Sequence, residues 1–473
     1  MRPIADGFSE KLKTLVPLSD VFTACGIELK KSGNGLACLS PFRDERTPSL
    51  HVNDRDGVWN DFGDNTLGGD HYSFLTRYEG LSFPDAITRL AQIGQVPVEY
   101  KALDEKAKRW HGKTSDIYNA NEWGAKAYFN YLKNSQEGID YICGQRGINK
   151  ETIIEFGVGF APGGWRSLRS LATNEQLNPL VDADLLIRSE KNGKKSLYDK
   201  FFNAQRVIFP IKNTSGKVVG FGGRKLDNDS DSRSPKYINT AETLVYKKSN
   251  ELYGLYETLK KHNNKPGSII VSEGYLDVLT MHQNGITNAT SSNGTAITSE
   301  QIKSAFKYTD NIKFAFDGDP AGIKAAFKAM DEALPMLEDG RSIGFVFTPV
   351  GEDPDSLIRK HGVNAMKQLI NNPVDLAGFL AYRAKFELDM SNEEHISIAA
   401  KRTVDLVSNM PMGIMRDRAA TMMGKDLGVA PERLLFTIDK VANERLQAKE
   451  EQQAHQKKVP ENENRQQPRK PKI

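Results

Sequence analysis

The stretch Ser268-Ile-Ile-Val-Ser-Glu273-Gly-Tyr-Leu-Asp277 decides the fold, together with Ile312-Lys-Phe-Ala-Phe-Asp317-Gly-Asp319-Pro320 and with Ile343-Gly-Phe-Val-Phe347, beyond which comes Glu352-Asp353-Pro354-Asp355. Each opens with a short apolar run, ends in acidic residues, and is separated from the next by a helical pattern. Apolar runs alternating with helices predict a parallel sheet with crossover helices. Tyr275 to Gln283 reads as a helix, so Glu273 falls where a strand turns into its helix and Asp277 lies one turn on. Pro320 follows Asp319 as a first-turn proline follows an N-cap. All three clusters therefore sit at strand C-terminal ends, the edge where open α/β sheets bind ligands.

Carboxylates gathered on one edge repel each other, and a divalent cation resolves the conflict; all-oxygen sets suit Mg²⁺ or Mn²⁺. One Asp-x-Asp is weak evidence, because acidic loop residues are commonly just solvated. Three clusters, each after its own strand, predict a metal site. Such a site is what phosphoryl or nucleotidyl transfer requires.

Working outward, 473 residues suffice for several domains, and the expected class is α/β, or α+β overall. Residues 1–100 read as a compact mixed module with strand-like pieces at Ser49–Val52 and Val58–Phe62, a helix over Asp70–Glu79, and a second from Phe83 through Ala91. Residues 101–115 are charged with little periodicity, a linker or an exposed helix. In 116–267 helical patterns give way to strands, 268–360 hold the parallel sheet, 361–445 read as helical, and 446–473 are polar and expected to be disordered. No apolar run approaches the ~18 residues of a membrane span, and MRPIADGF has no apolar signal core, so the expected address is the cytoplasm. Cys25, Cys38 and Cys143 are too few for a disulfide framework. The net charge of +3 names no partner, although residues 1–100 hold 10 Lys/Arg against 14 Asp/Glu, which places the positive excess after them.

Glu273-Gly274-Tyr-Leu-Asp277, Asp317-Gly-Asp319 and Asp353-Pro-Asp355 resemble the Toprim signature of bacterial DnaG-type DNA primases. Phe221-Gly-Gly-Arg224, Pro235-Lys236-Tyr237-Ile-Asn239, Tyr246-Lys247-Lys248, Leu252-Tyr-Gly-Leu-Tyr256 and Arg146-Gly-Ile resemble the segments that precede Toprim in that family. The resemblance runs from about Leu12 to Glu444. It implies a DNA-directed RNA polymerase that makes short RNA primers on a single-stranded DNA template from NTPs. In that picture Asp317, Asp319, Asp353 and Asp355 hold Mg²⁺, or Mn²⁺, with Glu273 as acid/base or as a metal-water orienter and Asp277 in the catalytic set. Arg146, Arg224, Lys236 and Lys247, with Tyr237 and Asn239 beside them, then contact template and nucleotide. Two other readings stand beside this one: a primase-like single-stranded-DNA-binding or regulatory protein with weak or partner-dependent activity, and a Toprim nuclease or topoisomerase. No G-x-x-x-x-G-K-[ST] loop supports the nuclease.

The sequence departs from the family in two places. Where the family's N-terminal module holds zinc through C-P-F-H and C-F-G-C, this chain has Ser40-Pro41-Phe42-Arg43 and Asp61-Phe62-Gly63-Asp64. Neither hydroxyl nor guanidinium replaces thiolate or imidazole on zinc. The expectation is a degenerate zinc finger with no zinc, in which Arg43 bridges Asp61 and Asp64 and Ser40 adds a hydrogen bond. The chain also stops soon after the helical segment, where relatives usually carry a domain that docks on the replicative helicase. That partner is therefore named with its docking domain expected to be missing.

Overall fold

The computed structural model describes residues 4–458 apart from 34, 44, 65, 80, 82, 102–104, 192 and 227–233. The chain forms two compact units, one comprising residues to Gly267 plus Val278–Gly294, the other Ser268–Asp277 plus the chain from Thr295 onward.

The first unit opens with an antiparallel meander of β1 (Lys30–Ser32), β2 (Gly35–Cys38), β3 (Leu50–Asn53), β4 (Val58–Asp61) and β5 (Gly68–Gly69), paired in that order. Period-two patterning puts Leu50 and Val52 of β3, and Trp59 and Asp61 of β4, on the buried side. Trp59 packs edge-on against Phe74 at 5.6 Å, and its indole N–H donates to the Asp70 carbonyl at 3.2 Å. Asp70 is the N-cap of helix His71–Tyr78, its Oδ1 accepting from Ser73 N at 2.9 Å. Helix Phe83–Ile93 adds Ala86, Ile87, Leu90 and Ala91 to the core at helical spacing. Truncating Trp59 to Ala in this core costs about 3–5 kcal/mol.

Over the segment expected as a linker or exposed helix, a helix begins at Glu105 and continues to Lys133, 29 residues in all. Ile117, Ala120, Asn121, Tyr128 and Leu132 recur on its buried face. Asn121 donates from Nδ2 to the Val219 carbonyl at 3.0 Å, tying the helix to the sheet beneath it. The strands of this core are β6 (Gly159–Ala161), the hairpin β7 (Leu186–Lys191) and β8 (Lys194–Asp199), β9 (Arg206–Lys212), β10 (Val218–Lys225) and β11 (Tyr237–Asn239). The main antiparallel sheet has the order β11-β10-β9-β6.

In the second unit β12 (Ile269–Ser272) is fully buried, as expected for a strand covered on both faces. After β13 (Ala289–Ser291), which belongs to the first unit, come β14 (Asn311–Phe316), β15 (Ser342–Phe347) and β16 (Val374–Asp375). β12, β14 and β15 are parallel, with Ile269 opposite Ile312 and Ile312 opposite Ile343; β16 closes the edge antiparallel. This register brings the three acidic loops to one end. Helices Leu376–Lys385, Glu393–Val407, Ile414–Asp426 and Pro431–Lys458 follow.

The last of these corrects the expected disordered tail: residues 446–458 continue a helix, because LQAKEEQQAHQKK is rich in strong helix formers. Residues 459–473 of that expectation lie outside the described residues. Among the described residues no helix is long and apolar enough to cross a membrane.

Candidate active site

In the second unit, Asp319 is the N-cap of helix Pro320–Ala333, its Oδ1 accepting from Gly322 N at 2.7 Å. Asp353 caps helix Pro354–His361 in the same way through Ser356 N at 2.6 Å, and Ser356 Oγ accepts in return from Asp353 N at 2.9 Å. In each case a proline at the first helical position needs no hydrogen-bond partner for the N–H it lacks. Gly318, between Asp317 and Asp319, lies so close to the next strand's exit that a Cβ there would sit 2.0 Å from the Thr348 carbonyl oxygen. The Asp-Gly-Asp-Pro sequence is therefore a steric and capping device as well as an acidic cluster.

The other carboxylates differ in how they are held. Asp277 is buried, its Oδ2 accepting from Gly274 N at 3.0 Å and its Oδ1 from Asp355 N at 3.2 Å, so it binds the first acidic loop to the third. Burial, reinforced by Asp353 and Asp355, pushes its carboxyl well above the usual range. Asp355 is buried and paired with Arg359 one turn on, Nε and Nη2 each 3.0 Å from a carboxylate oxygen. Glu273 stands at the exposed rim. Desolvation on its inner side, followed by Asp317 and Asp319, pushes its pKa up; solvent at the rim tempers the shift. Among the described residues no three His, Cys, Asp or Glu close on one point as a complete metal cage.

The basic set lies in the first unit. Arg224, buried on β10, donates from Nε to the Tyr141 hydroxyl at 2.7 Å and from Nη1 to the Tyr237 hydroxyl at 2.6 Å. Arg146 donates to the same Tyr141 oxygen at 3.1 and 3.2 Å. The β10–β11 register sets Arg224 opposite Tyr237 and Gly222 opposite Asn239, whose Nδ2 reaches the Asn293 carbonyl at 3.0 Å. Lys236 is exposed at the start of β11. Lys247 is exposed in a turn closed by Asn250 N on its carbonyl, with no bond to the others among the described residues. The sequence reading missed Tyr141 and Arg206. Arg206 is fully buried and its guanidinium holds the carbonyls of Gly223, Pro235 and Lys236 at 2.9–3.4 Å, fixing the backbone on either side of Arg224 and Lys236. No local pattern marks either contact; a charged residue opening the otherwise apolar run of β9 was the available signal for Arg206.

In the N-terminal module, Arg43 Nη2 lies 2.5 Å from Asp61 Oδ1 and 2.8 Å from Glu45 Oε2, and also donates to Ser49. The bridge to Asp64 does not form: Asp64 turns to its own loop and accepts from Thr66 N and Oγ1. Ser40 contributes its backbone N–H to Glu45 at 2.6 Å, and its hydroxyl accepts from Phe42 N. Glu45, two residues from Arg43, outcompetes Asp64 because it reaches the guanidinium with both Nε and Nη2.

Residues 127–259 match the family model described as "DNA primase catalytic core, N-terminal domain", residues 270–358 the "Toprim-like" model, and residues 4–106 the "CHC2 zinc finger" model. DNA primase of Pseudomonas putida is 35% identical over 439 residues, covering 91% of this chain, and that of Pasteurella multocida 36% over 420 residues, covering 87%. The chain belongs to the bacterial DNA primase family. It spans 64% of the length of the Pseudomonas putida primase and 69% of the Pasteurella one. A DNA primase domain from Pseudomonas aeruginosa matches with a TM-score of 0.63 at 37% identity, covering 69% of this chain and 99% of that one. A DnaG primase catalytic domain solved bound to ssDNA matches at 0.62 and 34%, covering 68% and 99%. The zinc-binding and RNA polymerase domains of Aquifex aeolicus primase match at 0.58 and 28%, covering 91% and 100%.

These matches bear out a mixed α+β fold with a zinc-ribbon module, a primase-family core and a Toprim sheet. They also correct one expectation. The N-terminal module was expected to stand without zinc; it matches the zinc-finger model, and a zinc-binding primase structure covers it. The side chains at the four positions, Ser40, Arg43, Asp61 and Asp64, do not by themselves fit a zinc ion, being engaged in the contacts above, and no step below is routed through one.

Proposed function

We propose that the chain is an active primase, a nucleotidyltransferase that extends RNA on a single-stranded DNA template. The observation that carries this reading is the gathering of carboxylates beyond the ends of the parallel strands. Glu273, Asp317, Asp319 and Asp353 face a common end of the sheet, and the two N-cap carboxylates spend only Oδ1 on their helices. Burial, then Asp317 and Asp319, raise the pKa of Glu273, so negative charge gathers at this end, and an all-oxygen set of this kind fits a hard divalent cation. Magnesium bound there would orient the attacking 3′-oxygen and stabilise charge on the α-phosphate and leaving group.

The chain's own residues do the rest. Asp277 and Arg359 hold the loops that aim these carboxylates, and Glu273, whose pKa is raised, is suited to take a proton or orient a water. Arg146 and Arg224, locked through the Tyr141 hydroxyl, and exposed Lys236 and Lys247 bind phosphates of template and nucleotide. Tyr237 and Asn239 sit where they can touch a base or a ribose. Localisation in the cytoplasm and a replicative helicase as partner belong to the same reading.

The test is primer synthesis on mixed-sequence single-stranded DNA with labelled NTPs and Mg²⁺. Short RNA products that vanish in Asp317→Asn and Glu273→Gln support the reading. Absence of product from folded chain, with Mn²⁺ and helicase also tried, overturns it, and degradation of the template points to nuclease chemistry instead.

A further inference from the structure

Helix Leu255–Lys261 ends in a turn in which two successive residues, Asn263 at φ 49° and Asn264 at φ 60°, adopt the left-handed conformation. Asparagine tolerates this region better than most non-glycine residues. The turn meets the N-terminal module at two points within the first unit. Asn264 Nδ2 donates to the Glu79 carbonyl, and Lys265 Nζ lies 5.2 Å from the centroid of the Phe42 ring. Around these contacts a cleft of about 710 Å³ stays open.

The lining of this cleft is unbalanced in charge. Arg77, Lys260 and Lys265 are all exposed, and none is ion-paired among the described residues. Among the described residues the one acidic side chain on the wall, Glu79, is engaged by Arg89, whose Nε and Nη2 approach its carboxylate at 3.1–3.2 Å. Two half-buried aromatic rings meet edge-to-face at 6.3 Å on the module side: Phe42, stacked on Trp59 at 5.7 Å and covered by Lys265, and Tyr78, stacked on Phe74 at 5.3 Å. Neither the carboxylate edge nor the Arg146–Arg224 network includes any of these residues.

Uncompensated cations strung along an open cleft draw a polyanion, and aromatic rings beside them offer stacking to unpaired bases. A duplex keeps its base faces covered and cannot use the rings. We propose that this cleft is a further contact site for single-stranded nucleic acid, with Arg77, Lys260 and Lys265 on backbone phosphates and Tyr78 against a base. The proposal rests on the reading of the chain as a primase working on a single-stranded template, and adds that the template is gripped where the N-terminal module meets the catalytic core.

The test is fluorescence anisotropy of a labelled 16-nucleotide oligo(dT) with the full chain across a NaCl series. Lys260→Ala combined with Lys265→Ala should weaken binding roughly five- to twentyfold and reduce the slope of log K against log[salt] by about 1.4, the loss of two single-strand phosphate contacts. Arg77→Gln, which touches neither docking contact, should weaken binding roughly threefold and so separates loss of a phosphate contact from loosening of the module. Lys328→Ala combined with Lys367→Ala removes the same charge elsewhere and should stay within about twofold of the parent. Photocrosslinking with an iodouracil-substituted strand should place an adduct on Tyr78. Parent-like affinity and slope in all cleft variants, or adducts only elsewhere, overturn the proposal while leaving primer synthesis by the parent intact. A parent that prefers polyglutamate to oligo(dT) overturns it in favour of an acidic protein partner. A parent that neither binds the strand nor makes primers overturns both readings.

Discussion

The N-terminal module and the second unit both collect carboxylates beside strand ends, and they settle the charge in opposite ways. In the module Arg43 is drawn between Asp61 and Glu45, and Ser49 completes the ring, so one of the two negative charges is balanced and both carboxylates are held by hydrogen bonds within the cluster. At the acidic edge of the second unit Asp355 is paired with Arg359 and Glu352 with Lys360, while among the described residues Glu273, Asp319 and Asp353 make no ion pair. The contrast separates a cluster that holds structure from one poised for chemistry. Charge already paired inside the protein stabilises without reacting; charge left to a ligand is available for catalysis.

The contrast breaks most visibly under charge removal at the acidic edge of the second unit. Asp317→Asn or Glu273→Gln should reduce primer synthesis by about 10²-fold or more with the melting temperature unchanged, measured by product yield alongside calorimetry. Equal loss of stability and activity would put these residues in the same class as Arg43. Next in size is Gly318→Ala. Its Cβ would meet the Thr348 carbonyl at 2.0 Å, so the loop must shift, and a displacement of this order should lower kcat about ten- to a hundredfold while Asp317 and Asp319 remain chemically intact.

Arg43→Ala tests the other side of the comparison. It leaves the Asp61 and Glu45 carboxylates facing each other, and should lower the unfolding temperature of the module by several degrees in a thermal scan, with the second unit's transition unmoved. The smallest effect is in pH. Burial works against ionisation of Asp61, but the hydrogen bonds from Ser40, Arg43, Gly63 and Ser49 prevail and hold its pKa at about 2. A depressed folded-state pKa gives stability that is fully present above the unfolded value near ~4 and lost as pH falls through the folded one. The module's unfolding temperature should therefore hold steady from pH 7 down to about 4 and fall between about 4 and 2, and Asp61→Asn should flatten that fall.

The acidic edge was legible because its determinants are local: a parallel strand ends, a carboxylate caps, a proline starts the helix, and three such events in one chain converge by register alone. The basic strand positions were legible through family resemblance, but their organisation was not. Tyr141 joins Arg146 to Arg224 from 83 residues away in sequence, and Arg206 works through carbonyl oxygens that any sequence possesses. Glu45 displaced Asp64 as Arg43's partner for a reason of reach, which spacing does not encode. The helix through Lys458 was misread because polar composition and helix propensity point in different directions for a Gln- and Lys-rich segment. The zinc expectation failed differently: it was read from four positions, and the family membership of the module rests on about a hundred.

Asp319 and Asp353 are each a helix cap and a member of the acidic edge, and this double duty has a consequence for the order in which the protein acquires its parts. A cap carboxylate is fixed only when the first helical turn exists to donate to it. The acidic edge therefore has no geometry before helices Pro320–Ala333 and Pro354–His361 are nucleated, and divalent-cation affinity should appear during refolding in the same kinetic phase as the helical signal of this unit, with no lag between them. A chain still emerging from the ribosome would be catalytically silent until residues well past His361 have been made, whatever the state of the module ahead of it.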